Sequence, residues 1–184
     1  MATVLVPLAQ GCEELEAVTI MDLMVRAGIN VISASLDDKP VTASRGTVLV
    51  ASTTINKVKA ANIDMLVLPG GLPGADNLKT DPYIQNLITQ LNDDNKPIAA
   101  ICAAPKVLAA AGLLNGKKAT AYPGVLEELL VKNIQIDHSQ AVIHDGNIIT
   151  SRGPGTAMDF ALELITILCG SAKRSQVESG LQRL

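Results

Sequence analysis

Nucleophilic chemistry in this chain centres on one cysteine. Cys102 ends the apolar run Ile98-Ala99-Ala100-Ile101 and is followed by Ala103, Ala104 and Pro105, after which Val107, Leu108 and Ala111 keep helical spacing. The form small-x-Cys-x-small is that of a nucleophile elbow, whose tight strand-to-helix turn tolerates only small neighbours. Such a turn lifts the thiol above a sheet, and the dipole and free N–H groups of the helix N-terminus there favour thiolate. The competing reading is a buried small hydrophobe at a strand end. Cys12 and Cys169 lack this setting and read as structural.

A nucleophile needs a proton partner, and Glu16 is the candidate. Glu13 and Glu14 lie in the first turn of a helical pattern and read as complements to its dipole. Glu16 lies one turn in, directed toward the crevice where Cys102 emerges. Two such groups cannot both be charged cheaply, so one holds the proton and they titrate as a pair. The turn Pro69-Gly70-Gly71-Leu72-Pro73-Gly74 permits close backbone approach, with the Gly71 N–H free to face an oxyanion. A tight turn without a ligand is the alternative. His138 and His144 belong to or precede an apparent hairpin and read as surface or structural, which removes a Cys-His dyad.

The elements that must position these residues alternate between β and α. Strands are expected at Thr3–Leu8, Val31–Ser35, Met65–Leu68, Pro97–Ile101, Ala119–Ala121 and Ile148–Ser151, with a β-excursion over Val41–Ser52 and a hairpin turning at Asp145-Gly146. Helices are expected over Glu13–Ala27, from Asp81-Pro82 onward, and from Thr156 to Gly170, where Thr156 and Asp159 approach a capping box. This is an α/β pattern with a mainly parallel sheet covered on both faces, in a single domain spanning 1–184. Ligands in such folds bind beyond the carboxyl ends of the strands. Those ends are Gln10–Glu16, Ser44–Gly46, Pro69–Gly74, Cys102–Pro105, Tyr122–Gly124 and Ser151–Thr156.

Composition narrows the chemistry. The 184 residues are 48% hydrophobic but only 2% aromatic, so Tyr83, Tyr122 and Phe160 are the only rings for stacking or caging a ligand. A net charge of −3 and the lack of a basic run oppose nucleic acid. No apolar run approaches the ~20 residues of a membrane span. Neither glycine-rich loop carries a dinucleotide fingerprint or a P-loop lysine. Three cysteines without C-x-x-C fit reduced thiols, and with no basic leader before Thr3 the expected compartment is cytoplasmic.

Taken together, the segments resemble the ThiJ/PfpI superfamily. Gly11-Cys12-Glu13-Glu14-Leu15-Glu16 is similar to its G-x-E-E-x-E motif, Asp64–Gly71 to D-x-x-x-L-P-G-G, Ala99–Pro105 to A-A-I-C-A-x-P, and Ser151–Thr156 to S-R-G-P-G-T. The DJ-one branch, with its glyoxalase III and protein deglycase members, is the nearest resemblance. It implies a flavodoxin-like three-layer sandwich and a homodimer, with Cys102 as nucleophile and oxidation site and Glu16 as its protonated partner. It further implies backbone N–H groups of Gly71 and Ala103 at the oxyanion, and a site bordered by Gly70, Tyr122, Arg26, Arg45 and Pro154. The arginines match ones near the interface and the site. Three departures stand out: Tyr122 replaces a common active-site histidine, Ala103 stands where the protease-like branch has His, and Gly46 replaces a common Asp.

The expected activity is cofactor-independent and metal-free conversion of methylglyoxal or glyoxal to a 2-hydroxy acid, or the same chemistry on glycated protein. The alternative is a redox-sensing chaperone whose cysteine is oxidised to sulfinate. The near-absence of rings predicts a small site walled by Ala, Gly and aliphatic groups, with Tyr122 its one aromatic.

Overall fold

A computed structural model describes residues 1–183. Along the chain, β1 (Thr3–Leu8), α1 (Glu14–Arg26), β2 (Asn30–Ser35), β3 (Val41–Thr42), β4 (Val48–Leu49), β5 (Thr53–Thr54) and β6 (Met65–Leu68) form the first half. The second half comprises α2 (Gly74–Thr80), α3 (Pro82–Asp93), β7 (Ile98–Ile101), α4 (Pro105–Ala110), β8 (Lys118–Ala119), β9 (Gln135–Ile136), β10 (Val142–Asp145), β11 (Ile148–Ser151), α5 (Ala157–Cys169) and α6 (Ser171–Gly180). Seven strands make one sheet in the order β10-β11-β7-β6-β1-β2-β5, parallel except for the β10–β11 hairpin.

Strand alternation divides the core in two. Val4, Val6, Leu8, Met65, Val67, Ala99 and Ile101 face α1 and α5, whose Ile20, Met24, Phe160 and Leu164 cover them. The intervening Leu5, Leu66, Leu68, Ile98 and Ala100 face α3 and α4 on the other side. Both faces are dry, which is why the strands read as continuous apolar runs rather than alternating ones. The fold is therefore an α/β three-layer sandwich with a mainly parallel sheet.

Most expected elements form within a residue or two of their predicted ends. Asp81 caps α3 by accepting the N–H groups of Tyr83 and Ile84, with Pro82 at the first helical position. The excursion over 41–52 closes as the β3–β4 ribbon. Three details differ. Ala119–Ala121 contributes only β8, which pairs with β9 outside the main sheet. Thr156 and Asp159 do not form a capping box: Thr156 turns back onto Gly153 and Asp159 pairs with Arg183 at 2.8 Å. Helices α2 and α6 carry little periodic signal, since α2 opens on glycine and α6 buries only Val177.

Candidate active site

Cys102 is the first residue past β7, with φ +63°, a left-handed conformation that non-glycine residues seldom adopt. Two contacts hold it there. Its N–H donates to the Ser151 carbonyl at 3.0 Å, and its own carbonyl accepts the Tyr122 N–H at 2.9 Å. The nucleophile is thus tied to the ends of two other segments, and its strained backbone aims the thiol over the sheet.

Glu16 reaches the thiol from α1. Its side chain is fully buried, and Oε2 accepts the Gly70 N–H at 2.8 Å. Oε1 has no hydrogen-bond partner. Burial pushes the Glu16 carboxyl up to about 7, against the Gly70 N–H and the Cys102 thiol, which favour its charged form. Burial also raises the Cys102 thiol, to about 12, helped by the charge and hydrogen bonding of Glu16. The N–H groups of Gly71 and Ala103 act on the sulfur in the opposite sense. Both shifts oppose charge in the pair: at neutral pH the thiol keeps its proton while Glu16 exchanges its own near pH 7, because two anions cannot share a dry site. The helix that follows is too short to deliver the thiolate preference expected of an elbow: α4 has only six residues and begins three residues on, so burial wins.

Glycines make this approach possible. A Cβ on Gly70 would lie 2.6 Å from Cys102 Cβ and 2.7 Å from Glu16 Oε2. Gly71 sits at φ +88°, and a Cβ there would strike Gly11 O and Glu13 N at 2.5 Å. The 69–74 turn is therefore pressed against the 11–13 turn, and Glu13 N–H donates to Gly70 O at 2.9 Å.

Cys102, Gly71, Ala103, Arg45, Tyr122 and Pro154 line one cavity of about 350 Å³. Glu13, Ser44, Leu72 and Val125 complete it. Gly70 and Glu16 lie beneath its floor. Arg26 does not belong to this group. It ends α1 ten residues beyond Glu16, about 15 Å along the axis, and pairs with Asp22 at 2.7 Å. A hollow of about 390 Å³ elsewhere, between Leu36, Asp37 and Asp81, holds no nucleophile.

The side chains of Glu13 and Glu14 do more than complement a dipole. Glu13 caps α1 by accepting Glu16 N–H at 2.8 Å, so it orients the acid it precedes. Glu14 reaches across to the turn carrying Arg45, accepting from Ser44 Oγ and from the N–H groups of Arg45 and Thr47. Burial opposes its ionisation, but the backbone N–H groups of its own residue, Arg45 and Thr47 prevail and hold the carboxyl down at about 2. No local pattern announces a contact spanning thirty residues. His138 and His144 stay outside the cavity, bonded to Glu127 and to Gly146 O. Cys12 is a fully buried hydrophobe whose thiol burial and Glu14 push up to about 11. Among the described residues no three His, Cys, Asp or Glu side chains are grouped to hold a metal, and no helix is long and apolar enough to cross a membrane.

The architecture and the elbow define an α/β protein of the flavodoxin-like kind with a cysteine at its strand ends. The chain belongs to the DJ-1/PfpI family, whose model matches residues 2–167. It is 43% identical over 176 residues to Protein DJ-1 homolog B of Arabidopsis thaliana, covering 95% of this chain but 40% of that protein. It thus spans less than half the length of the plant relative. Glutathione-independent glyoxalase DJR-1.2 of Caenorhabditis elegans is 32% identical, with 96% of this chain and 92% of that one covered. The crystal structure of Drosophila melanogaster DJ-1beta superposes with a TM-score of 0.93 at 39% identity, over 100% of this chain and 98% of that one.

Proposed function

We propose that the chain is a cofactor-independent enzyme for reactive dicarbonyls, converting methylglyoxal to lactate at Cys102. The observation that carries this is the fully buried Glu16 carboxyl set against the Cys102 thiol, beside two N–H groups directed at the sulfur. A carboxylate with a pKa of about 7 is well matched to a general base at neutral pH. The name of the nematode relative supports the same chemistry.

The steps balance without an added reagent. Glu16 takes the thiol proton as the sulfur adds to the aldehyde carbon, and the carbonyl electron pair moves to oxygen, held by Gly71 and Ala103 N–H. Protonation of that oxygen gives a hemithioacetal. Glu16 then removes the hydrogen from the former aldehyde carbon, and a proton returns to the neighbouring carbon. The result is a thioester, which water hydrolyses to lactate and free thiol. Glycated amines or thiols would enter by the same adduct. The test is lactate formation from methylglyoxal: Cys102→Ser should abolish it and Glu16→Gln should lower it at least about a hundredfold, and unchanged rates in both variants would sink the proposal.

One observation favours a second reading. Glu16 Oε1 has no partner, and its protonated carboxyl would have a hydrogen bond to give a sulfinate on Cys102. Mild peroxide followed by intact mass tests this: two oxygens on Cys102 with no dicarbonyl turnover would replace the enzyme with an oxidation sensor or redox-responsive chaperone.

We further propose a homodimer. Val18 and Val25 on α1 and Val48 and Val50 on the ribbon are 45–79% exposed, an unusual apolar display. Light scattering of the purified chain distinguishes dimer from monomer. The three free thiols support a reducing compartment such as the cytoplasm.

A further inference from the structure

Beyond Tyr122 a second hollow of about 360 Å³ adjoins the Cys102 cavity, sharing Tyr122 and Pro154 with it. Gly153, Gly155 and Thr156 form its base, and Arg152 is its one charged residue. Arg152 follows Ser151, whose carbonyl accepts the Cys102 N–H, so the cation and the nucleophile leave adjacent strand ends. Gly153 separates them without filling the passage. A Cβ there would lie 3.3 Å from Tyr122 Cδ2 and 4.0 Å from Cys102 Sγ.

The Arg152 guanidinium is only partly satisfied. Nη1 donates to His138 O at 2.8 Å. Nε is covered and meets no acceptor. Among the described residues no carboxylate pairs with this side chain. Nε is closed to a ligand, whereas Nη2 bonds to none of the described residues and is the donor left to meet a carboxylate in the hollow that Arg152 lines.

We propose that this hollow is a carboxylate subsite, in which Arg152 holds the far end of a 2-oxoaldehyde whose aldehyde carbon lies at Cys102. This rests on the carbonyl chemistry proposed above and adds a substrate class to it: 2-oxoaldehydes with a terminal carboxylate. A three-carbon substrate would leave the second hollow empty. The reaction is the same hydration and internal redox exchange: the aldehyde carbon is oxidised to an acid, the ketone carbon is reduced to an alcohol, and one water is consumed.

The experiment compares 4,5-dioxopentanoate with its methyl ester and with methylglyoxal, in the native chain, Arg152→Gln and Arg152→Lys. A charged hydrogen-bonded contact predicts that Arg152→Gln loses about ten- to a hundredfold in kcat/KM for the acid, with the ester and methylglyoxal within about twofold. Arg152→Lys should fall between, retaining the charge but not the planar guanidinium. Equal losses for acid and ester, or no loss for the acid, would overturn the subsite. A readout free of catalysis is the titration of Cys102→Ser with 4-oxopentanoate by NMR. Adding Arg152→Gln should weaken that binding, and equal affinity would overturn the subsite even if the native chain proves inactive on methylglyoxal. Inactivity on methylglyoxal alone would count against the carbonyl chemistry and leave the titration to decide the subsite.

Discussion

Glu16 meets Cys102 across a gap that only glycine leaves open: a Cβ at Gly70 would fall 2.6 Å from Cys102 Cβ and 2.7 Å from Glu16 Oε2. Gly70→Ala must therefore displace the nucleophile or the acid. Overpacking predicts a loss of about 1–3 kcal/mol in stability. Activity should fall far more, since a small misplacement of reacting groups costs about a hundredfold. Lactate assays and thermal melts check both, with Gly180→Ala as control, because nothing lies within 4 Å of a Cβ there.

The raised pKa of Glu16 sets two pH dependences of opposite sense. As a base it must be ionised, so kcat/KM should rise with pH and level off above about 7. Glu16→Gln should remove that limb and lower the rate about 10²–10⁴-fold. Stability runs the other way. The folded chain binds the proton more tightly than the unfolded chain, whose carboxyl titrates at 4.5, so stability falls as pH rises from 4.5 to about 7. The span corresponds to a contribution on the order of 3 kcal/mol. Glu16→Gln should melt higher than the native chain at pH 8 and lose that advantage at pH 4.5. An equal difference at both would contradict it.

Glu14 positions Arg45 through the turn its carboxylate holds. Glu14→Gln should raise KM several-fold with kcat little changed, which steady-state kinetics separates from a loss of chemistry. Its depressed pKa gives the ordinary acidic sign: the stabilisation is present above 4.5 and is lost as pH falls toward about 2.

Tyr122, at the position of a histidine common in the resembled family, is 53% exposed, and its hydroxyl has no hydrogen-bond partner among the described residues. Its backbone does the anchoring, through Cys102 O. Tyr122→Phe should therefore keep activity within about twofold, as expected of a surface change that disturbs no named interaction. A large loss would assign the hydroxyl a proton-transfer role.

Phe160 is the one aromatic buried in the core, at 0% exposure on the α5 stripe. Phe160→Ala should destabilise by about 3–5 kcal/mol, read as a lower denaturant midpoint. It does not line the cavity, so activity of the folded fraction should persist.

Periodicity and local chemistry determined much of this molecule. Apolar runs flanked by helical stripes required a parallel sheet buried on both faces, and Asp81-Pro82 or Gly170 marked helix ends, because each depends on neighbours a few residues away. The elbow at Cys102 was legible for the same reason: small residues must flank a strained turn. Long-range geometry was not. Glu16 could be picked out by its place one turn into α1, but that Glu14 crosses to the turn carrying Arg45 depends on how α1 packs against that turn. The protonation of the pair depends on burial, which reversed the thiolate preference expected from the helix alone. Arg26 and Arg45 are alike as residue types, yet one pairs with Asp22 at the far end of α1 while the other lines the cavity, held by a carboxylate thirty-one residues away. Only tertiary packing decides such contacts, because their free energy comes from water excluded between segments that no local pattern joins.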